Sequence, residues 1–319
     1  MQGSTVSNDD PSPGEYADRS PEGMPAGLGR PGARPAAAPT DPAARRGIAH
    51  ALQALRAIVL RELFKFSRQT GRLVSALVRP LLWLAVFAAG FRNVFGVAIV
   101  EPYDTYIPYD VYIVPGLVGM VLLFNGMQSS LAMVYDREMG LMRLLLTAPL
   151  PRPWLLFAKL CATALLSVLQ ALAFVVVAVL IGTDLPLFSL AALHALAALI
   201  GSALMLGALG LLLSVYIKQL ENFAGTMNFV IFPMYFLSTA LYPLWKLQES
   251  GAEWVYQLAR FNPFTHAVEW VRFALYGKDP GAAPYVVLGC LLVFFVLACW
   301  GYDPQRGFGG LTKRGGGGG

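Results

Sequence analysis

The sequence predicts an all-α integral membrane protein with six transmembrane helices. Three observations carry that expectation. First, 56% of the residues are hydrophobic and only 13% charged, against about 25% charged in an average soluble chain. Second, five windows, 111–135, 160–183, 185–217, 222–245 and 281–302, contain no Asp, Glu, Lys or Arg. An apolar run of roughly 18 residues or more reads as a spanning helix. Third, Lys and Arg collect in alternate loops, which orients the spans.

In chain order, residues 1–46 are rich in Pro, Gly, Ala, Asp and Ser. They hold too little apolar surface to order themselves and are expected to form a disordered cytoplasmic tail. No cleavable signal peptide is visible there.

Residues 47–72 change pattern. Leu52, Leu55, Val59, Leu63 and Phe66 recur at steps of three and four, with Arg61, Lys65, Arg68 and Arg72 on another side. This is the pattern of an amphipathic interfacial helix with a basic stripe, suited to the lipid surface. A plain extension of the first span is the alternative. Gly71 offers a bend between the two.

A six-span domain is expected over 73–302, followed by a flexible cytoplasmic tail at 303–319. The first span, 74–95, carries Arg79 and Arg92. Near the ends of a span such side chains snorkel to the interface. The fourth span contains the small pairs Ala197/Gly201 and Ala203/Gly207, which let helices approach closely.

The loop at 243–279 is too long for a hairpin and is broken at Pro243 and Asn262-Pro263. Two short helices, 247–260 and 264–276, are expected there as outer re-entrant helices before the last span. A small extracellular cap is the other reading.

Arg61, Lys65 and Arg68 precede the first span; Arg137, Arg143, Arg152 and Lys159 lie between the second and third; Arg306, Lys313 and Arg314 follow the last. The intervening loops carry fewer cations or balance them with Glu and Asp. Both termini are therefore expected in the cytoplasm. The net charge of +5 reflects this asymmetry and is no nucleic-acid signal.

Several chemistries find no residues to support them. There is no phosphate-binding loop, because Gly277-Lys278 is followed by Asp279. His50, His194 and His266 stand far apart, and Cys161, Cys290 and Cys299 show no metal spacing. Paired intramembrane carboxylates, the usual mark of a proton relay, are absent from the sequence windows. Neutral polar residues remain. Asn125, Gln128 and Ser129 share one face of the second span, and Asn228 lies in the fifth. Asn125, Gln128 and Asn228 are candidates to line a pathway; gluing helices together is the plainer role.

One charged piece interrupts the oily sequence. Asp136, Arg137, Glu138 and Arg143 sit between the second and third spans, with Gly140, Leu141, Leu144 and Leu145 among them. At the bilayer centre each charge would cost roughly 2.5–3.5 kcal/mol, so the piece belongs outside. A short helix here, with leucines on one face, could dock in a groove of a soluble partner and pass its motion to both spans.

Three stretches resemble the type-2 ABC transporter permease (ABC-2) family. Asp136-Arg137-Glu138-Met139-Gly140 matches an acid-Arg-Glu-x-Gly coupling segment; Leu141 departs from the small polar residue usual next. Thr147 to Arg152 resembles the turn that follows. Asn262-Pro263-Phe264-Thr265-His266-Ala267-Val268-Glu269-Trp270-Val271-Arg272 is similar to the stretch before the last span.

The resemblance implies a cytoplasmic coupling helix and an interfacial helix that contact a separate ATPase, and alternating access between two permease chains. ATP and Mg would sit on the partner, with no cofactor on this chain, and a bacterial cytoplasmic (inner) membrane would be the location. Export of an amphiphilic small molecule, lipid or glycan would be the activity. KQLENFAGTMNFVIFPMYFLSTALYPLW and YDPQRG also look like permeases associated with pyrroloquinoline-quinone-dependent alcohol oxidation. The alternative is a membrane-embedded enzyme acting on a lipid-linked substrate, with His266, Glu269 and Arg272 as its available side chains. A scaffold without transport is a third reading.

Overall fold

The computed structural model describes residues 48–68, 70–91, 101–104, 106–140, 151–183, 185, 191–249 and 251–302. The two tails, Arg92, and Leu141, Arg143, Leu144 and Leu145 of the charged piece lie outside the described residues.

Helix α1 (Ile48–Ser67) half-buries Ala51, Leu55, Ile58, Glu62 and Phe66 at helical spacing, while Arg61, Lys65 and Arg68 are exposed. Leu52, assigned to the packed face by its spacing, is 54% exposed. The helix leans on α4 (Arg152–Leu180), whose Trp154 Nε1 donates to the Ala51 carbonyl at 3.0 Å.

Helix α2 (Thr70–Phe91) begins four residues before the expected first span and contains Pro80. Arg79 therefore stands near its middle rather than its end. Its guanidinium lies 4.0 Å over the Phe124 ring, a cation–π contact, while the side chain remains exposed.

Helix α3 (Tyr109–Glu138) is the axis of the fold. Its 30 residues measure about 45 Å at 1.5 Å per residue, longer than a hydrocarbon core of about 30 Å. Ile113, Leu117, Leu122, Met127 and Val134 are fully buried along it. Helix α5 (Ala191–Tyr216) runs parallel to α3, and α4 runs antiparallel to both. The α3–α5 approach is made at Gly126 and Gly210, where a Cβ on Gly210 would stand 2.8 Å from the Gly126 carbonyl oxygen. The nominated Gly201 instead makes room for the Trp270 ring, 2.4 Å from where its Cβ would be.

Helix α6 (Leu220–Phe236) stops well short of residue 245, where the fifth window ends. Pro233 lies inside it, and Ser238 turns back: its hydroxyl donates to the Tyr235 carbonyl and accepts from Ala240 N. These side-chain bonds replace helical ones, so the chain breaks at 237–243.

The first outer helix expected at 247–260 is two, α7 (Leu244–Glu249) and α8 (Glu253–Phe261). Gly251 between them sits at φ +72°, a left-handed conformation that favours glycine. Helix α9 (Pro263–Leu275) and α10 (Ala283–Gly301) complete the described chain.

Among the described residues, four helices, α3, α4, α5 and α10, are long and apolar enough to cross a bilayer. Helix α6, at 17 residues, is just shorter, and among the described residues α2 contributes a shorter apolar stretch, Leu77–Phe87.

Candidate functional site

The charged piece begins inside α3, not as a helix of its own. Asp136, Arg137 and Glu138 form the last turn, because nothing between Tyr135 and Glu138 breaks the helix. Gly140, at φ +73°, follows the C-cap Met139 and ends it. The three side chains point to different neighbours. Arg137 Nη2 donates to the carbonyls of Ser214 at 2.5 Å and Ile217 at 3.1 Å. Those carbonyls belong to the end of α5, where the final turn leaves acceptors unpaired and partly negative. Asp136 Oδ2 lies 3.8 Å from Lys159 Nζ on α4, with both side chains largely buried. Glu138 is exposed. One helical turn thus ties α3 to α4 and α5 while offering a carboxylate outward.

Above this turn lies a polar cavity of about 60 Å³ between α1, α3 and α4. Asn125 and Ser129 line it from α3, and Lys159, Thr163, Ser167 and Gln170 from α4. Ser129 and Thr163 hydroxyls share a hydrogen bond of 2.6 Å. Of the candidate pathway residues only Asn125 reaches this cavity; Gln128 and Asn228 are exposed on the outside of the protomer.

The opposite end is built around the broken terminus of α6. Asn262 caps α9: its Oδ1 accepts from Phe264 N at 3.0 Å, with Pro263 in the first turn, where a missing N–H costs nothing. Its Nδ2 donates to the carbonyls of Met234 and Leu237, each at 2.7 Å. Arg272, 2% exposed, donates to Glu269 Oε1 at 2.5 Å and to the Thr239 carbonyl at 2.8 Å. Its guanidinium lies 4.2 Å over the Tyr112 ring. Tyr112 donates to the Thr239 carbonyl at 3.1 Å and Tyr109 to that of Leu241 at 2.6 Å. The carbonyls that the helix break releases are therefore met by side chains of α3, α9 and the α9 cap, as burial requires.

Burial pushes the Tyr103 phenol up to about 12 and raises Tyr276 as well. These phenols stay neutral at ordinary pH. His266 Nε2 sits 3.0 Å from the Arg260 carbonyl, and Glu269 is held by Arg272. Both act within the scaffold.

The sequence profile described as ABC-2 type transporter matches residues 53–276. The chain belongs to that family. The permease is 29% identical over 233 residues to the putative transport permease ycf38 of Porphyra purpurea, covering 72% of this chain and 76% of that one. A ycf38 protein of Cyanophora paradoxa is 29% identical over 228 residues, or 70% and 74% of the two chains. The inner membrane transport permease YadH of Escherichia coli strain K12 is 25% identical over 274 residues, covering 80% and 96%.

Membership makes this chain a multi-pass permease subunit of an ABC-type transport system, a class that is not itself catalytic and pairs with a separate ATPase subunit. Sequence reasoning missed Lys159, Gln170, Tyr109, Tyr112 and Thr239. Tyr109 and Tyr112, three apart at the start of a span, carried a legible signal, since phenols at that spacing share a helix face. The role of Thr239 is played by its backbone and leaves no trace in the sequence.

Proposed function

We propose that the permease exports an amphiphilic small molecule, lipid or glycan by alternating access, driven by ATP on a separate subunit. The observation that carries this reading is the last turn of α3, in which Asp136 and Arg137 bind α4 and α5 while Glu138 stays exposed. A push on the segment from Asp136, Arg137 and Glu138 through Gly140, Leu141, Arg143, Leu144 and Leu145 would then move three helices together. The leucines supply apolar contact and the charges set register.

In this reading the chain spans the membrane six times, with α2 and α6 completing the set and both termini in the cytoplasm. The exposed Arg61, Lys65 and Arg68 of α1 face anionic headgroups, and the helices around Asn262, Pro263, His266, Glu269 and Arg272 re-enter from outside. Two copies face each other across the translocation axis, and nucleic acid plays no part. The inner membrane named for YadH supports the bacterial cytoplasmic membrane as the location. The narrower likeness to permeases of quinone-dependent alcohol oxidation rests on residues 218–245 and the Tyr302 stretch alone and does not name a cargo.

The test is the double reversal E138R with R143E. It should weaken co-purification with the ATPase and abolish stimulated ATP hydrolysis while membrane insertion stays intact. Unchanged coupling would overturn the reading.

A further inference from the structure

Arg79 is a cation that the fold leaves open at membrane depth. Helix α2, read above as a span, has 22 residues, about 33 Å at 1.5 Å per residue, which matches a hydrocarbon core of about 30 Å. Arg79 stands nine residues from Thr70 and twelve from Phe91, so about 14 Å of helix lies on one side of it and about 18 Å on the other. Its side chain is exposed. The Phe124 ring, 4.0 Å from the guanidinium, offers a π face but no acceptor oxygen. No carboxylate lies within ion-pair distance of Arg79 among the described residues. An ionised side chain at such depth pairs with a counter-charge or marks a substrate pathway.

A second copy of the chain has no counter-charge to offer at that depth. Helix α2 contains no Asp or Glu, and neither do the windows 111–135, 160–183, 185–217, 222–245 and 281–302. A two-fold contact of α2 on α2 would set one Arg79 beside the other. Glu269 is already held by Arg272. The anion must come from a molecule other than this chain, and the surroundings describe that molecule. Arg79 opens into a groove of about 600 Å³ that is also lined by Val74, Val78, Leu82, Trp83 and Val86. Val74, Val78, Leu82 and Val86 recur every four residues and form one apolar stripe, about 18 Å long. All four are exposed.

We infer that Arg79 and this stripe form a site for an amphiphile with a carboxylate or phosphate head, held during its passage across the bilayer. The guanidinium carries only N–H donors, and its planar fork matches those two oxyanions; the stripe takes the apolar chain. A cationic head would be repelled, and a neutral one would leave the charge unbalanced. A resident phospholipid keeps its head at the bilayer surface, outside the hydrocarbon, whereas a head in transit passes the depth of Arg79. The inference rests on the export reading above and narrows its cargo to anionic amphiphiles.

The test uses the full chain in phosphatidylcholine proteoliposomes. Palmitic acid bearing a diazirine on its chain is photolysed in parallel with the matching alcohol and trimethylammonium probes. Adducts are located by mass spectrometry and scaled to those on α10 at the exposed Leu292 and Val296. The acid should label residues 74–86 about tenfold more than either counterpart, the factor that 1.4 kcal/mol of binding gives. Arg79→Gln should erase that preference, and Arg79→Lys should keep part of it. Equal labelling by the three heads, or a preference unchanged in Arg79→Gln, would overturn the assignment. So would displacement of the acid by phosphatidylglycerol as readily as by dodecyl phosphate, since the occupant would then be resident lipid. In the complex with the ATPase, dodecyl phosphate should stimulate hydrolysis where dodecyltrimethylammonium does not; stimulation that survives Arg79→Gln would also overturn it. If Arg79→Gln does not assemble, the three probes on the parent chain still decide. E138R with R143E should leave the labelling unchanged, so loss of coupling and loss of the site are read apart.

Discussion

Arg272 Nη2 donates to the Thr239 carbonyl at 2.8 Å across 33 residues of chain. The bond closes a loop: Thr239 lies in the break after α6, and Arg272 lies on α9, which Asn262 also fastens to that break. Loss of Arg272 leaves the buried Thr239 carbonyl short of a charged donor and the partly exposed Glu269 without its counter-ion, and a hydrogen bond to a charged group contributes about 1.5–3 kcal/mol. Arg272→Ala should therefore lower the thermal unfolding midpoint in detergent sharply. Arg272→Lys should recover only part of it, since an ammonium cannot make the fork to Glu269 and Thr239 while stacking on Tyr112. Equal midpoints for the Ala variant and the parent would refute this account of the junction between α6 and α9.

The same break is pressed against α3 at Gly116. A Cβ there would stand 2.4 Å from the Ala240 carbonyl oxygen, a backbone atom with no rotamer to yield. Gly116→Ala should destabilise by about 1–3 kcal/mol, the usual range for overpacking. Gly289→Ala is the matched control: its added methyl meets nothing within 4 Å. Helix propensity should make it neutral or stabilising by up to about 1 kcal/mol. Unfolding midpoints of the two variants that move together would show that close approach is not the cause.

Much of this architecture is legible in the sequence because lipid imposes a simple code. Charge-free windows locate α3, α4, α5 and α10, since every backbone group in hydrocarbon must be paired within a helix. The ends of α6 and α7 are not legible in this way. Hydropathy reads 222–245 as continuous, whereas Ser238 and Gly251 break the chain through local hydrogen bonding and backbone conformation. Asp136, Arg137 and Glu138 stand out as charges, yet their division of labour does not. Only the helical phase of α3 turns Arg137 toward Ser214 and leaves Glu138 exposed. Asn125 and Gln128 share a broad face of α3, but the cavity wall takes Asn125 together with Ser129 and its edge leaves Gln128 exposed.

The Tyr103 phenol, packed against Tyr112 and Tyr276, has a defined alkaline limit. Its ordinary value of 10.0 is raised to about 12 by burial. Between those values the unfolded chain loses this proton while the folded chain keeps it, so stability falls as pH rises from about 10 to about 12. Below pH 10 the group contributes no pH dependence. Chemical unfolding followed at several pH values should show a slope of this sign, and Tyr103→Phe should reduce it by the share of one phenol, leaving that of the other raised tyrosines such as Tyr276. A slope of the opposite sign, or one unchanged in the Phe variant, would place the titration elsewhere.

Arg137 and Glu138 are adjacent, yet they meet different surroundings, and on the proposed function this predicts different failures. Arg137 binds two terminal carbonyls of α5, and a hydrogen bond to a charged group contributes about 1.5–3 kcal/mol. Arg137→Gln leaves Glu138 exposed, so docking of the ATPase should survive. The push would reach α3 but pass poorly to α5. A loss of about 1.4 kcal/mol in that transmission corresponds to tenfold in rate. Stimulated ATP turnover and transport should therefore fall about tenfold with near-normal co-purification. Glu138→Arg should do the reverse, weakening co-purification while residual complexes keep the ordinary ratio of transport to hydrolysis. Arg137→Lys should restore part of the transmission by reaching one carbonyl. If Arg137→Gln abolished co-purification while Glu138→Arg spared it, the arginine would be the docking group and the strut between α3 and α5 would not transmit the stroke.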